Sequence, residues 1–229
     1  MMIMKYSTIF KKASLGLATL VAVLTMSGSA ASAIPYTGDT TVASPVPAFN
    51  VFTGNMPAPA PLNGEPNFFR GRVPADGNMS DPTTPYTDPV SASCTNNQLI
   101  QLHVYVHNGA SADANNNGSG PSVAHGTKVK VALPSNEAST FNSTATISAT
   151  NAASVSDGLT INCNGKTVKL QYVAGSASQY SKGSGVVALP DTIVSSGAAI
   201  RSHNVPGDVW GCWDDRVYVV LTVKVVETP

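Results

Sequence analysis

The sequence is poor in charged residues, in aromatic residues and, outside its N-terminal region, in long apolar runs. Charged side chains make up 11% of the chain and aromatic ones 7%, against about 25% charged residues in an average soluble domain. No cluster of basic residues is longer than Arg70-Gly-Arg72 or Lys128-Val-Lys130, so the basic patch that nucleic-acid binding needs is missing. Ser, Thr, Asn, Gly and Val are abundant instead, which is typical of a secreted β-protein and not of a helical bundle.

The one apolar run lies near the N-terminus, from Leu15 to Met26, and it follows three lysines. It is too short to span a bilayer, which takes roughly 20 apolar residues, and the small residues Ala31-Ser32-Ala33 come after it. This order predicts a secretory signal peptide over residues 1–33, with an uncleaved membrane anchor as the alternative. We therefore expect a secreted or extracellular protein with no membrane span after cleavage, which is either released or associated with the cell surface through a partner.

Proline is concentrated in one part of the chain, since 11 of the 16 prolines lie in residues 34–93. Proline has no amide hydrogen to give to a sheet, so we predict an extended Pro-rich leader over residues 34–62. The folded domain is then expected over residues 63–229, a length at which a core forms without a metal or a disulfide. Two apolar patches, residues 48–52 and 67–73, are predicted to be edge strands that lie on this domain.

Beyond residue 98 apolar and polar side chains alternate, as they do in strands with one buried face. Short strands separated by Gly, Ser, Asn and Pro turns, with no helical pattern between them, favour an all-β antiparallel sandwich. The Asn164-Gly165 pair predicts a type I′ turn, which would join a hairpin with Ile161 opposite Val168 and Leu159 opposite Leu170. The clearest alternations lie at residues 99–107, 127–133, 143–149 and 216–226.

Five segments follow one another in an order that resembles a known family. They are "VYVHN" (104–108), "GTKVKVALP" (126–134), "LQYVAGSAS" (170–178), "VALPDTIVSSGAAI" (187–200) and "YVVLTVKV" (218–225). Over residues 98–227 the chain resembles the immunoglobulin-like conserved repeat family, domain of unknown function eleven, of bacterial cell-surface proteins. The resemblance implies an extracellular Ig-like β-sandwich that acts as a spacer, adhesive or structural module, and it implies no active site. The chain departs from the family's commonest arrangement by having a single copy and a long Pro-rich leader.

One loop contains the oxygen-ligand spacing that opens an EF-hand, at Asp113, Asn115 and Asn117. A calcium loop of that type also needs a bidentate acid at its twelfth position and a helix on each side. The twelfth position is Ala124, and strands are predicted on both sides. We therefore expect no cofactor, keep calcium as a weak candidate, and interpret the stretch as an exposed loop between strands, where binding function often resides.

The three cysteines predict one disulfide and one free thiol, because disulfides persist after export. Three pairings can be drawn, and the sequence alone does not choose between them. We prefer a Cys94–Cys212 disulfide, on the condition that the two strands that follow these residues begin at the same end of the sandwich. Cys163 would then be a buried thiol, and intermolecular bonding of the odd cysteine stays open.

Trp210 and Trp213, with the outward-facing Tyr105 and Tyr218, are candidates for a ligand platform on which sugar rings stack. The alternative is that the two tryptophans cover one end of the sandwich.

No catalytic constellation is visible in the sequence. Gly183-Ser184-Gly185 is not the elbow of a hydrolase, no His-Glu-x-x-His motif occurs, and Asp214 and Asp215 would point in opposite directions. His103 and His107 lie four residues apart on a predicted strand, about 13 Å from each other, so they suit solvent-facing positions and not a metal pair.

We therefore predict no catalytic or cofactor-binding residues and expect a noncatalytic extracellular protein with a structural or adhesive role. Its partners would be a protein or a glycan at a cell surface, or other copies of itself through the N-terminal leader. The alternative is a secreted enzyme, a hydrolase whose site is built from loops.

Overall fold

The computed structural model describes residues 45–52, 64–80 and 83–227. The predicted signal peptide, residues 1–33, and most of the predicted leader lie outside these ranges. Within them the chain forms strands and short 3-10 turns, and no helix there is long and apolar enough to cross a membrane. The strands are β1 (Phe69–Arg72), β2 (Val90–Ser91), β3 (Leu99–Val106), β4 (Lys128–Ala132), β5 (Thr140–Ser148), β6 (Val155–Asn162), β7 (Lys169–Tyr172), β8 (Ser178–Ser181), β9 (Gly185–Ala188), β10 (Ala198–Ala199) and β11 (Val217–Val226).

The strands form two sheets that pack face to face, which confirms the all-β prediction. The first sheet has the order β1-β3-β11-β8-β9, and β7 pairs with β11 beyond the end of β8. The second has the order β10-β4-β5-β6-β2. The pairing is antiparallel throughout except between β2 and β6. The 3-10 turns lie at Ala75–Gly77, Ala112–Ala114, Asn116–Gly118, Asp191–Val194 and Trp213–Asp215.

The core lies between the sheets, and alternation along the strands fills it as the sequence predicts. The inward side chains of β3 and β11 are fully buried against those of β4, β5 and β6. Each such aliphatic side chain contributes about 1.5–3 kcal/mol by leaving water. Gly71 is the inward residue of β1 at a crowded point, because a Cβ there would lie 2.8 Å from Val90 Cγ2.

The predicted hairpin around Asn164-Gly165 is wrong, although its turn forms. Both residues have positive φ angles, 52° and 86°, and Lys166 N donates to Cys163 O at 3.1 Å. The two strands then part, since β6 lies between β5 and β2 while β7 pairs with β11 in the other sheet. Ile161 therefore lies beside Val90 of β2 instead of Val168. The turn carries the chain from one sheet to the other because both sides of β6 are occupied.

The disulfide joins Cys94 to Cys163, whose Cα atoms lie 5.2 Å apart, so the predicted Cys94–Cys212 pairing is wrong. Cys94 precedes β3 and Cys212 precedes β11. These strands are antiparallel neighbours, so their starts lie at opposite ends of the sheet and the stated condition fails. Cys212 is a half-buried free thiol.

Candidate functional site

The outer face of the first sheet carries a row of tyrosines that crosses three strands. The registers place Tyr105 of β3 beside Tyr218 of β11, and Tyr218 beside Tyr180 of β8. Ring centroids lie 5.7 Å apart in the first pair, edge to face, and 6.4 Å apart in the second, stacked. We call these three residues the aromatic row. Val186 of β9 continues it to the edge of the sheet, opposite Tyr180.

Exposure rises steadily along this row toward β9. Tyr105 is 1% exposed, Tyr218 is half-buried, Tyr180 is 50% exposed and Val186 is 76% exposed. Ala188, next along the outer face of β9, is exposed as well. We call Tyr218, Tyr180, Val186 and Ala188 the open patch. One half of the sheet's outer face is therefore covered and the other half is available for binding.

The covered half is closed by the N-terminal segments through a buried carboxylate. Glu65 is 0% exposed, and its Oε1 lies 2.6 Å from His107 Nδ1 and accepts a hydrogen bond from the Tyr105 hydroxyl at 3.0 Å. Phe52 N donates to Glu65 Oε2 at 3.1 Å, and the Phe52 ring stacks on His107. Burial and the charge of Glu65 both raise the pKa of Tyr105. We call Glu65, Tyr105 and His107 the Glu65 cluster.

The segment that contains residues 45–52 is also fixed by backbone pairing. Phe49 forms an isolated antiparallel bridge with Asn108, and Asn50 Nδ2 donates to Tyr105 O at 2.9 Å. His107 N donates to Asn50 Oδ1 at 2.8 Å. The predicted edge strand at 48–52 is thus a single bridge, whereas the patch at 67–73 forms β1. Because this segment covers His107, which is 2% exposed, the prediction that His107 faces solvent is wrong.

His103 connects the aromatic row to the loop that follows β1. Its ring stacks between Tyr86 and Tyr218, at centroid distances of 4.7 Å and 5.9 Å, and the Arg72 guanidinium lies 4.6 Å from the Tyr86 centroid. Burial, together with the charges of Arg70 and Arg72, lowers the pKa of His103 to about 4. At neutral pH the imidazole is therefore uncharged and behaves as one more aromatic ring.

This low pKa predicts an acid-dependent loss of stability. In the unfolded chain His103 takes up a proton near pH 6.5, whereas in the folded chain it does so only near pH 4. Between these values the unfolded state binds more protons, so the free energy of unfolding falls as the pH falls, by up to about 3 kcal/mol. We expect His103→Gln to flatten the decline of urea-unfolding free energy between pH 6.5 and 4. An unchanged slope in that variant would show that another group causes the decline.

Trp213 borders the buried end of the row, and Trp210 belongs to a separate cluster. The Arg216 guanidinium lies 4.2 Å from the Trp213 ring centroid, and the Trp213 ring meets His107 edge to face at 5.2 Å. Trp210 instead stacks on His203 at 3.8 Å. Within the described ranges, Nε and Nη1 of Arg216 are buried without a hydrogen-bond partner. Of the proposed platform residues, Trp213 thus lies near the outer face, together with the Arg216 guanidinium that stacks on it.

Comparison with known proteins adds no further assignment. No family model matches the chain, and neither the curated proteins nor the solved structures include a significant match. The resemblance to the Ig-like conserved repeat family stays a prediction.

The loop with the EF-hand spacing is held to the sandwich by its central asparagine. Asn115 is buried, its Nδ2 donates to Gly211 O at 2.6 Å, and its Oδ1 accepts from Gly211 N at 2.8 Å. Asp113 is exposed, and Asn117 adopts a positive φ of 51°. Among the residues that the structure describes, no group of three or more His, Cys, Asp or Glu side chains is placed to hold a metal ion. Asn115 therefore supports the loop, and its oxygen is already used.

Three histidines pair with acids, but none of these pairs has a nucleophile. The pairs are His107–Glu65, His125–Asp208 and His203–Asp215, at 2.6, 2.9 and 2.8 Å. Nucleophilic catalysis needs a hydroxyl or thiol hydrogen-bonded to the base. In the described part of the chain, no serine, threonine or cysteine side chain is seen to hydrogen-bond a histidine ring; the Thr150 hydroxyl donates only to the backbone carbonyl of His125. Asp214 pairs with Lys182 and Asp215 with His203, so the adjacent acids do point to different partners.

Sequence reasoning found Tyr105, Tyr218 and Trp213 but missed Tyr180, Val186 and Arg216. The segment around Tyr180, Ser178–Ser181, carries no apolar alternation and did not stand out as a strand. The one available signal was the Gly/Ser-rich turn between residues 181 and 185, with tyrosine and valine on either side.

Proposed function

We propose that this chain is a secreted, noncatalytic Ig-like β-sandwich with an adhesive role, and that it binds a glycan on the open patch. The observation that supports the proposal is the exposed Tyr180 ring, 50% accessible, stacked beside Tyr218 on a rigid sheet. An aromatic ring fixed in this way offers an apolar plane to the CH groups of a sugar and a hydroxyl to its polar groups. Val186 widens the plane toward the sheet edge.

The size and charge of the surface favour a glycan over a folded protein partner. A stable protein interface buries about 800 Å² on each side, whereas here a few side chains form the exposed apolar area. The Arg216 guanidinium adds a positive charge near Tyr218, although its Nε and Nη1 are buried and do not face a ligand. A cation beside stacked tyrosines suits a glycan that carries carboxylate or sulfate groups.

Two features support an extracellular location. The buried Cys94–Cys163 disulfide belongs to proteins of oxidising compartments. The predicted signal peptide over residues 1–33 indicates the same extracellular location.

The proposal predicts that Tyr180→Ala weakens glycan binding about tenfold, because a stacked ring contributes on the order of 1.4 kcal/mol. The purified protein would be applied to an array of neutral and acidic glycans, with binding constants then measured by calorimetry. Val205→Ala is the matched control, since Val205 is 56% exposed and lies outside the open patch.

Equal binding by both variants and the wild type would contradict a site at Tyr180. Turnover of an arrayed glycan would favour the secreted enzyme, and binding to cells but to no glycan would favour a protein ligand.

A further inference from the structure

Strand β9 forms the outer edge of the first sheet, and its free backbone groups can be assigned. Leu189 N donates to Ala177 O at 2.9 Å, so this pair is hydrogen-bonded. Hydrogen-bonded pairs alternate along antiparallel strands, which turns Val187 toward β8 and directs the backbone N–H and C=O of Val186 and Ala188 away from the sheet. No hydrogen bond to these four groups is seen within the described residues.

This edge lacks the side chains that commonly protect a sheet edge, and only the short length of β9 limits its pairing with another chain. Sheets commonly protect an edge with lysine, proline or a bulge, and the sequence of β9, Gly-Val-Val-Ala, contains neither charge nor proline. The described ranges contain four exposed large hydrophobic residues, and two of them face each other here: Val186, 76% exposed, and Tyr180, 50% exposed. Exposed apolar groups beside free backbone donors and acceptors indicate a partner strand.

We propose that β9 pairs antiparallel with β9 of a second copy of this chain, about a twofold axis at Val187. In this register Val186 lies opposite Ala188 of the second copy, and the reverse holds on the other side of the axis. Both residues have outward-pointing backbone groups, so they exchange N–H and C=O hydrogen bonds. Val187 lies opposite its own symmetry mate, and the first sheet becomes continuous across the two copies.

Charges at the two ends of β9 are complementary in this arrangement. Lys182, in the turn before β9, is exposed, and Asp191, shortly after β9, is exposed as well. Antiparallel pairing brings the start of one strand beside the end of the other. Each Lys182 therefore lies at the same end as Asp191 of the second copy, so longer-range attraction favours this direction, whereas parallel pairing would bring like charges together. Lys182 keeps Asp214 as its intrachain partner, and Asp191 keeps Tyr172 and Gly175.

The length of β9 sets the strength of the contact. Four residues bury less area than the roughly 1,200 Å² of a stable interface, so the dimer is weak in dilute solution. On a crowded surface the effective concentration is high, and weak pairing is then sufficient. Pairing uses the edge of the sheet and leaves the outer face free, so both open patches lie on one continuous face. The pairing does not depend on what the open patch binds.

The test is sedimentation equilibrium of the mature protein from about 10 µM to about 1 mM, with Ala188→Pro as the main variant. Proline at this position removes an outward amide that β8 does not use, so the fold is retained while two interchain hydrogen bonds are lost. We expect a monomer–dimer equilibrium for the wild type and a dissociation constant raised at least about tenfold in Ala188→Pro.

Val186→Lys serves as a second edge variant if Ala188→Pro unfolds, as judged by circular dichroism. Lys182→Glu should also weaken the dimer, whereas Asp214→Asn, which removes only the intrachain partner of Lys182, should not.

A wild type that stays monomeric to about 1 mM, or a dimer that persists in every folded edge variant, would overturn the proposal. So would species larger than a dimer, because these arise from head-to-tail pairing such as donation of the N-terminal leader. Glycan binding by a strictly monomeric protein would leave the proposed function intact while removing the dimer.

Discussion

Glu65→Ala is expected to lower the free energy of unfolding by about 3–5 kcal/mol, because buried polar groups that use Glu65 as their acceptor would lose it, at about 1–3 kcal/mol for each group. Glu65 is fully buried and satisfies three groups at once: His107 Nδ1, the Tyr105 hydroxyl and Phe52 N. Its removal would leave the His107 ring nitrogen and the Tyr105 hydroxyl without this acceptor in a low-dielectric environment, and it would remove one hydrogen bond of Phe52 N. The N-terminal segments would then lose the attachment through Glu65, while the Phe49–Asn108 bridge and the Asn50 hydrogen bonds remain.

Urea unfolding at pH 7, followed by tryptophan fluorescence, measures this effect. Trp213 is a suitable reporter because it contacts both His107 and Phe52. Glu137→Ala is the control: Glu137 pairs with Lys169, both side chains are more than 40% exposed, and the expected change is below about 1 kcal/mol. Equal effects of the two substitutions would mean that the Glu65 cluster does not hold the segments in place.

Removing the disulfide by replacing Cys94 and Cys163 with serine is expected to cost about 4 kcal/mol. The disulfide closes a loop between residues that are 69 positions apart, and a constraint of that length reduces the entropy of the unfolded chain by this amount. The loop contains β3, β4, β5 and β6, so it ties together parts of both sheets.

The stability of the double variant, measured by thermal and urea unfolding, is compared with that of Cys212→Ser. Cys212→Ser should be nearly neutral, because Cys212 forms no disulfide in the structure. Thiol titration of the unreduced wild type under denaturing conditions should find one free thiol, assigned to Cys212 by peptide mass. Loss of stability in Cys212→Ser with none in the double variant would contradict the observed pairing.

The sequence predicted the faces of the long strands well because burial alone decides them. Along β3 and β11 every second residue must enter the core, and a period of two is visible without knowledge of neighbours. The Asn164-Gly165 turn was visible for the same local reason, since positive φ angles favour these two residues. The pairing partner of a strand, by contrast, is not decided by its local sequence. Whether β6 pairs with β7 depends on β2, a strand of two residues that is distant in sequence and has no pattern of its own.

The candidate site was only half predictable for a related reason. Tyr105 and Tyr218 share an outward face by alternation, but their exposure depends on what covers each half of the sheet. The segment around Phe52 and Glu65 buries Tyr105 and His107, and nothing in its Pro-rich sequence indicates where it docks. Tyr180 is the most exposed ring of the row, and it lies on a strand of four residues with no apolar pattern. The predicted disulfide pairing was wrong for the same reason, because which cysteines lie close together depends on the order of the strands.

The most direct test of glycan binding on the open patch is an NMR titration of the aromatic ring signals with a glycan chosen from the array. If the open patch binds a glycan, we expect the Tyr180 and Tyr218 signals to shift with one saturable binding constant, the Tyr105 signals to change little, and the glycan to be recovered intact. Shifts confined to the loop at residues 111–122, a cleaved glycan, or the absence of any shift with every acidic and neutral glycan tested would contradict it.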